Sequence, residues 1–272
     1  MKTLIVIPAR YGSSRFPGKP LAKIAGRSMV TRVAARARAA ADALGDARAV
    51  VATDDARIAD DCAAAGFEAV ITGADLPSGS DRALAAAREL GVRPARIVNL
   101  QGDAPFTPVA YIERIVTALD ESDADVATPV VRLDWPGLAA LQEAKKTAPF
   151  SGTTAIVVDG RALWFSKRIV PAIRNREDRM RENGMSPVLR HVGLYAFRYE
   201  ALEWFVDAER GCYERFEGLE QLRLLENGRS IACVEVDPSA VATGGIDTKE
   251  DLAHAEKLIA EHGDPDEAFF RG

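Results

Sequence analysis

The sequence predicts an α/β protein with a mostly parallel central sheet covered on both faces by helices. Three observations carry this. Short apolar runs (Leu4–Ile7, Ala49–Ala52, Ala69–Ile71, Arg96–Leu100) recur with helical stretches between them. Strands that are apolar throughout belong to sheets buried on both sides. The stretches rich in Gly, Pro and charge fall directly after those runs, beyond the carboxyl ends of the strands, where such sheets bind ligands. The length, 272 residues with 47% hydrophobic content, suffices for one large domain.

Taken in order, Leu4–Ile7 is the first strand and Met29 to Leu44 is Ala- and Arg-rich with helical spacing. Ala49–Ala52 ends at Thr53-Asp54-Asp55, an N-cap for a helix through Ala65. Ala69–Ile71 is a third strand. Ser80-Asp81 caps a helix from Arg82 to Leu90, Arg96–Leu100 is a fourth strand, and Val109 to Leu119 a further helix. The second half reads differently: Asp125–Arg132, Thr153–Asp159 and Val192–Phe197 are strands with fewer helices between them, as in a mixed sheet or an inserted subdomain. Asn175–Ser186 is charged and carries Gly184; an exposed loop or flap and a solvated linker both fit. Glu217–Glu226 reads as one helix stopped by Asn227-Gly228, Asp247–Glu261 as the last long helix, and Asp264–Gly272 as a frayed tail, although Phe269-Phe270 could dock somewhere.

Bulk properties exclude several classes. A net charge of -5 and a pI near 5.4 argue against a broad basic face for nucleic acid. Cys62, Cys212 and Cys233 show no C-x-x-C spacing, and an odd count speaks against a disulfide framework, so buried or semi-buried thiols in a reducing compartment are expected. The apolar run after Lys2 is too short for a signal sequence. No stretch reaches the ~20 apolar residues of a membrane span, and the cytoplasm is the expected location.

The first strand runs into Pro8–Pro20, a loop of small residues and prolines carrying Arg10, Arg15 and Lys19. Small residues let backbone N–H groups approach a polyphosphate, and the cations neutralise it. The loop has neither the G-x-x-x-x-G-K-[ST] run of ordinary ATPases nor the G-x-G-x-x-G turn of dinucleotide binders. Gln101-Gly102-Asp103 follows the fourth strand; Asp103 there is a magnesium ligand or a turn cap before Pro105. Asp247 lies beside a Gly-rich turn, with Thr248 and Asp251 spaced as a capping box; capping alone also explains the stretch. Ser78–Arg82 offers hydroxyls and backbone groups to the edge of a base, or is a plain loop with an N-cap. His191, beside Arg190 and Tyr195, is a satisfied core residue or part of a polar binding wall. Glu220 and Gln221, on a helix that buries Leu219, Leu222 and Leu225, line a site or face water.

These stretches occur in a telling order. Pro8-Ala9-Arg10-Tyr11, Ser13-Ser14-Arg15, Pro17-Gly18-Lys19-Pro20, Ala52-Thr53-Asp54, Ser78-Gly79-Ser80-Asp81-Arg82, Gln101-Gly102-Asp103, Phe165-Ser166, Leu189-Arg190-His191-x-Gly193-x-Tyr195, Leu219-Glu220-Gln221-Leu222-Arg223 and Gly245-Ile246-Asp247-Thr248 follow one another along the chain. The sequence resembles the 3-deoxy-manno-octulosonate cytidylyltransferases (CMP-Kdo synthetases) from about Met1 to about Ile259. The opening motif is shared with relatives that activate other sugar acids; the Leu189–Tyr195 and Leu219–Arg223 stretches are more specific.

The resemblance implies a Rossmann-like nucleotidyltransferase fold with a smaller mixed α/β insertion. One domain would cover 1–262, with a nucleotide-binding core of about 1–130 plus 198–262, an acceptor-binding and dimerisation insertion of about 131–197, and a tail at 263–272. It implies Mg²⁺-dependent transfer of CMP from CTP to the anomeric hydroxyl of Kdo for lipopolysaccharide synthesis, by a homodimer that uses CTP and a Kdo-like sugar acid. By the same resemblance Ala9, Arg10, Arg15, Lys19, Ser78, Gly79, Asp81 and Arg82 bind the nucleotide. Asp103 and Asp247 bind the metal and, with Lys19, are the catalytic residues. Gln101, Lys167, His191, Tyr195, Glu220 and Gln221 line the sugar-acid pocket.

The chain departs from the family in three places. Phe165-Ser166-Lys167 stands where Phe-Ser-Arg is usual, with Arg168 next; Lys supplies the charge of Arg but not its two-pronged contact. Ala148–Thr154 lacks the usual Asn-Pro-Asn-x-Val-Lys, and Ala104 replaces a common Glu. All three lie on the acceptor side, which leaves open a variant acceptor such as an 8-amino Kdo or another sugar acid. A non-catalytic nucleotide-binding regulator should have lost a metal carboxylate, and both are present.

Overall fold

The computed structural model describes residues 1–12, 16–182, 184–239, 245–264 and 266–270. In chain order the strands and helices are β1 (Thr3–Ala9), β2 (Lys23–Ile24), β3 (Arg27–Ser28), α1 (Met29–Leu44), β4 (Ala47–Thr53), α2 (Ala56–Ala64), β5 (Ala69–Ile71), α3 (Gly79–Glu89), β6 (Arg96–Leu100), α4 (Val109–Asp120) and β7 (Val126–Asp134). Then come α5 (Trp135–Thr147), β8 (Thr154–Val158), β9 (Arg161–Ser166), α6 (Arg176–Glu182), β10 (Met185–His191), β11 (Leu194–Arg198), α7 (Tyr199–Asp207), α8 (Cys212–Glu217), α9 (Leu222–Glu226), β12 (Ile231–Glu235) and α10 (Lys249–His262). Short 3₁₀ turns at Lys19–Leu21 and Glu267–Phe270 complete the path.

Ten of the strands form one sheet in the order β10-β8-β9-β12-β7-β11-β6-β1-β4-β5. One half is parallel, with β1 between β4 and β6 and β5 outside β4. β11 is wedged antiparallel between β6 and β7, and β12 runs parallel to β7. Residues 131–197 do not make a sheet of their own. Their strands continue the same sheet, and β10 also pairs with the second half of β7, which closes a ring β7-β10-β8-β9-β12.

The apolar β1 run has a two-sided explanation. Side chains alternate across a strand: Ile5 and Ile7 join the core under α1 and α4 with Val30, Val33, Ile112 and Ile115. Leu4 and Val6 join the opposite core under α3 and α7 with Leu84, Leu202 and Phe205. Each such side chain contributes about 2 kcal/mol by burial. A polar substitution anywhere in this run therefore opens one core or the other.

Several local expectations change. The cap of α3 is Ser78, not Ser80: its Oγ accepts from the Ser80 and Asp81 N–H groups, and the helix starts at Gly79. The Glu217–Glu226 run is two helices, because Gly218 ends α8 in a left-handed conformation (φ 64°) that side chains disfavour. Asn175–Ser186 contains α6 and the start of β10. Cys212 is exposed, while Cys62 and Cys233 are buried.

The tail docks rather than fraying. Arg32, fully buried in α1, donates to Asp264 (2.9 and 2.8 Å) and Asp266 (2.8 Å), and Arg36 pairs with Asp266 at 2.6 Å. Phe270 packs edge-on against Phe67 and lies under the Arg27 guanidinium. Among the described residues no helix is long and apolar enough to cross a membrane.

Candidate active site

The site lies beyond the carboxyl ends of β1, β4 and β6. After β1 the chain turns at Gly18, whose φ of 70° suits glycine, and the Gly18 N–H returns to the Tyr11 carbonyl. That turn sends Lys19 inward, where its Nζ sits 2.7 Å from Asp103 Oδ2 and 3.0 Å from Asp247 Oδ1. The two carboxylates come from distant loops. The Ile246 N–H donates to the Asp103 carbonyl at 2.8 Å, and Ile246 and Phe106 share a small core with α10. The Thr248–Asp251 capping box starts α10 and also takes the Asp247 N–H, which fixes Asp247 at the helix entrance.

Gly102 permits a close approach. A Cβ there would lie 2.5 Å from the Pro8 carbonyl oxygen, so the loop after β6 touches the end of β1 backbone to backbone. Beside them Arg82, buried at the start of α3, donates to Thr72 Oγ1 (2.6 Å) and reaches Asp54 (3.5 Å), which accepts the Tyr11 N–H at 3.2 Å. This ties the first loop to α3.

Two cavities meet at the carboxylate pair. One, of 320 Å³, is lined by Pro8, Ala9, Arg10, Lys19, Leu76–Gly79, Arg82 and Glu220. The other, of 570 Å³, is lined by Phe106, Thr107, Tyr111, Lys167, Arg190, His191 and Gly193. Gln101, Asp103 and Asp247 line both. The first cavity matches a nucleotide in its loop cations and backbone groups; the second is a cation-rich chamber beside an imidazole.

The comparisons with known proteins fall on this geometry. The cytidylyltransferase family pattern matches residues 4–231. A 3-deoxy-manno-octulosonate cytidylyltransferase from Maricaulis maris is 41% identical over 97% of this chain and 99% of its own length. One from Xylella fastidiosa strain M12 is 40% identical over 95% and 96%. The chain belongs to the 3-deoxy-manno-octulosonate cytidylyltransferase family. A solved CMP:2-keto-3-deoxy-manno-octonic acid synthetase complexed with CTP superposes with a TM-score of 0.82 and 34% identity over 96% of this chain and 99% of that one. A cytidylyltransferase from Leptospira borgpetersenii, at 18% identity and a TM-score of 0.55 over 96% and 87%, shares the fold.

Within this member of the cytidylyltransferase family the expected nucleotide residues divide by position. Ala9, Arg10, Lys19, Ser78, Gly79 and Arg82 line the smaller cavity. Asp81 does not line it; its carboxylate accepts the Ser78 hydroxyl at 2.5 Å as part of the helix cap. Arg15 lies outside the described residues, as do Ser13, Ser14, Thr243 and Gly244.

The expected sugar-acid residues do not form one group. Gln101, Lys167 and His191 line the larger cavity. Glu220 instead faces the nucleotide side, where Oε2 accepts from Ser80 Oγ at 3.2 Å and burial raises its pKa above the usual carboxylate range. Tyr195 and Gln221 line neither cavity. The Tyr195 ring packs 5.4 Å from His191, and burial together with the Glu220 charge raises its hydroxyl's pKa.

His191 is held neutral. Burial, with the Lys167 charge adding to it, lowers its pKa to about 3. The Thr128 hydroxyl donates to the Leu194 carbonyl at 2.8 Å, so at 2.9 Å it accepts from His191 Nε2. That assignment leaves Nδ1 as an acceptor. Of the two neighbouring cations, Lys167 lines the larger cavity, whereas Arg168 is exposed and does not.

Two residues outside the expected site set, Arg190 and Tyr111, also line the larger cavity. Arg190 was visible as the neighbour of His191. Tyr111 looked like a core aromatic of α4; it is buried, and its hydroxyl donates to the Asp237 carbonyl at the cavity wall.

Asp103 and Asp247 suit magnesium, a hard cation that takes oxygen donors. They already converge on a cation, the Lys19 ammonium. Among the described residues no group of three or more His, Cys, Asp or Glu surrounds one point. Magnesium commonly keeps waters and substrate phosphates beside one or two carboxylates.

Proposed function

We propose that this protein transfers CMP from CTP to the anomeric hydroxyl of Kdo and releases diphosphate. The observation that carries the reading is the junction of the two cavities: Gln101, Asp103 and Asp247 belong to both, so a nucleotide and an acceptor would meet there. The CTP-bound family structure, matched over nearly the whole chain, supports the nucleotide. Lys167 and Arg190, with a neutral imidazole between strands, support an acidic, hydroxyl-rich acceptor.

In this reading the anomeric oxygen forms a bond to the α-phosphorus. The bond from that phosphorus to the oxygen bridging to the β-phosphate breaks in line, and the hydroxyl proton passes to water. Such a step needs positioning and charge neutralisation more than a covalent residue. Arg10 and Lys19 take up the charge that develops on the diphosphate. Ser78, Gly79 and the start of α3 hold the base. Lys167 and Arg190 hold the acceptor carboxylate, and His191 Nδ1 accepts an acceptor hydroxyl. Asp103 and Asp247 would hold a magnesium ion, which when bound supplies positive charge at the α-phosphate.

The reading includes a homodimer. Among the described residues, five of the ten large exposed apolar side chains (Phe150, Val158, Leu163, Met180 and Met185) fall within 131–197, which supports an interface on that wing.

The test is diphosphate release from CTP with a panel of acceptors in the presence and absence of Mg²⁺. Turnover is expected with Kdo and Mg²⁺. Turnover with an 8-amino Kdo or a nonulosonic acid but not with Kdo would replace the acceptor, and silence with every sugar acid would overturn the reading.

A further inference from the structure

Lys167 and Arg190 are cations that line the larger cavity, and the Lys167 backbone is gripped from both sides. The Lys167 N–H donates to Glu217 Oε2 at 2.7 Å, and the same carboxylate takes the Ser166 hydroxyl at 2.8 Å. The Lys167 carbonyl accepts from Lys145 Nζ at 2.7 Å. That ammonium also donates to the Gly152 carbonyl at 3.0 Å and to the Ser151 carbonyl. An ammonium has three N–H donors; Lys145 spends all three on main-chain carbonyls.

The three carbonyls belong to two segments, the loop before β8 and the end of β9. The first leads straight to the other acceptor-side residues. The Thr153 carbonyl accepts the His191 N–H at 2.9 Å, and Arg190 is the register partner of Thr154. One side chain on α5 therefore joins Lys167 to the strand end that carries Arg190 and His191.

Electrostatics gives this arrangement a cost. Lys145 is half-buried and forms no ion pair among the described residues; burial and the charges of Lys167, Arg168 and Arg190 lower its pKa, with Glu217 the opposing charge. Placing a cation among cations is unfavourable unless its hydrogen bonds hold something in place. What they hold is the main chain on either side of the acceptor cavity.

We propose that Lys145 and Glu217 are positioning residues for acceptor recognition, clamping the Lys167 main chain so that its ammonium meets the acceptor carboxylate at a set place. The inference rests on the acceptor-side reading of Lys167 given above.

The test is steady-state kinetics with the acceptor that the wild type turns over, on Lys145→Met, Lys145→Arg, Lys167→Ala and the Lys145→Met/Lys167→Ala double variant. Lys145→Met is expected to raise the acceptor KM about tenfold, the scale of one charge-assisted hydrogen bond, while the CTP KM stays within about twofold. Lys145→Arg, which can still donate to carbonyls, should recover most of that loss. The double variant should be no worse than Lys167→Ala alone, since residues acting through one contact are not additive.

Equal losses for both substrates, or full additivity in the double variant, would overturn the clamp. If Lys145→Met fails to fold, Glu217→Gln takes its place in the same cycle with the same criteria. An unchanged acceptor KM in Lys167→Ala would remove the reading of Lys167 and the clamp with it. A raised KM there beside an unaffected Lys145→Met would remove the clamp alone.

Discussion

The two cavities on either side of the carboxylate pair are built by different means. The nucleotide side is main chain and short loops: three parallel strands end together, and Gly102 lets the loop after β6 touch the end of β1. The acceptor side is assembled from side chains reaching across distance, with Lys145 and Glu217 gripping β9 and Thr128 orienting His191. The first is set by the parallel sheet itself and tolerates little. The second is set by replaceable contacts, so it can be retuned for a different acceptor while the nucleotide side stays intact. Lys167, where the resemblance leads to an Arg, lies on that side.

This contrast can be broken in four ways. The largest effect is expected at the shared junction. Asp103→Asn keeps the shape and removes the charge, and kcat should fall about 10²–10³-fold, the usual loss when one transition-state electrostatic contact is removed. Diphosphate release measures it, and a rate within a few fold of wild type would take Asp103 out of the chemistry. Lys167→Ala should act on one side only, raising the acceptor KM about ten- to a hundredfold with little change for CTP; equal changes in both would erase the division.

Gly102→Ala should act on the other side. Its Cβ would meet the Pro8 carbonyl at 2.5 Å, so the two segments must part at a cost of about 1–3 kcal/mol. CTP affinity by calorimetry should weaken while acceptor KM holds, and unaltered CTP binding would show the close approach to be dispensable.

The smallest effect concerns His191. Its folded pKa of about 3 lies below the ordinary 6.5, so the unfolded chain binds the extra proton first. Stability that depends on the neutral ring is complete above about pH 6.5 and is lost as pH falls towards 3. Urea midpoints followed over that range should fall less steeply in His191→Asn than in wild type; parallel slopes would mean the ring titrates normally.

The same contrast governs what could be read without the fold. Ala9, Arg10, Lys19, Ser78 and Gln101–Asp103 lie in short contiguous motifs at strand ends, so local pattern and the parallel-sheet rule place them together. The acceptor side has no such shortcut. Glu217 reads as the first residue of a helix but is the last residue of α8, which Gly218 ends, and from there its carboxylate accepts the Lys167 N–H. Glu220, which the resemblance groups with the sugar-acid residues, sits in the turn before α9, accepts from Ser80 and lines the smaller cavity. β9 and β12 carried too little pattern of their own; each is defined by the strands beside it. The tail was misjudged for the opposite reason. Arg32 and Arg36 belong to an Ala- and Arg-rich helix, and nothing local announces that Asp264 and Asp266 return to cover them.

β12 sits inside the sheet, between β7 and β9, and Asp247 follows it. A chain emerging from the ribosome has its phosphate loop and the whole parallel half in hand early. The ring of strands must nevertheless wait open for residues 231–235, and Asp103 has no acidic companion until residue 247 arrives. On the proposed reading of the carboxylate pair, the site is complete only once Asp247, at the entrance to the final helix, has been made.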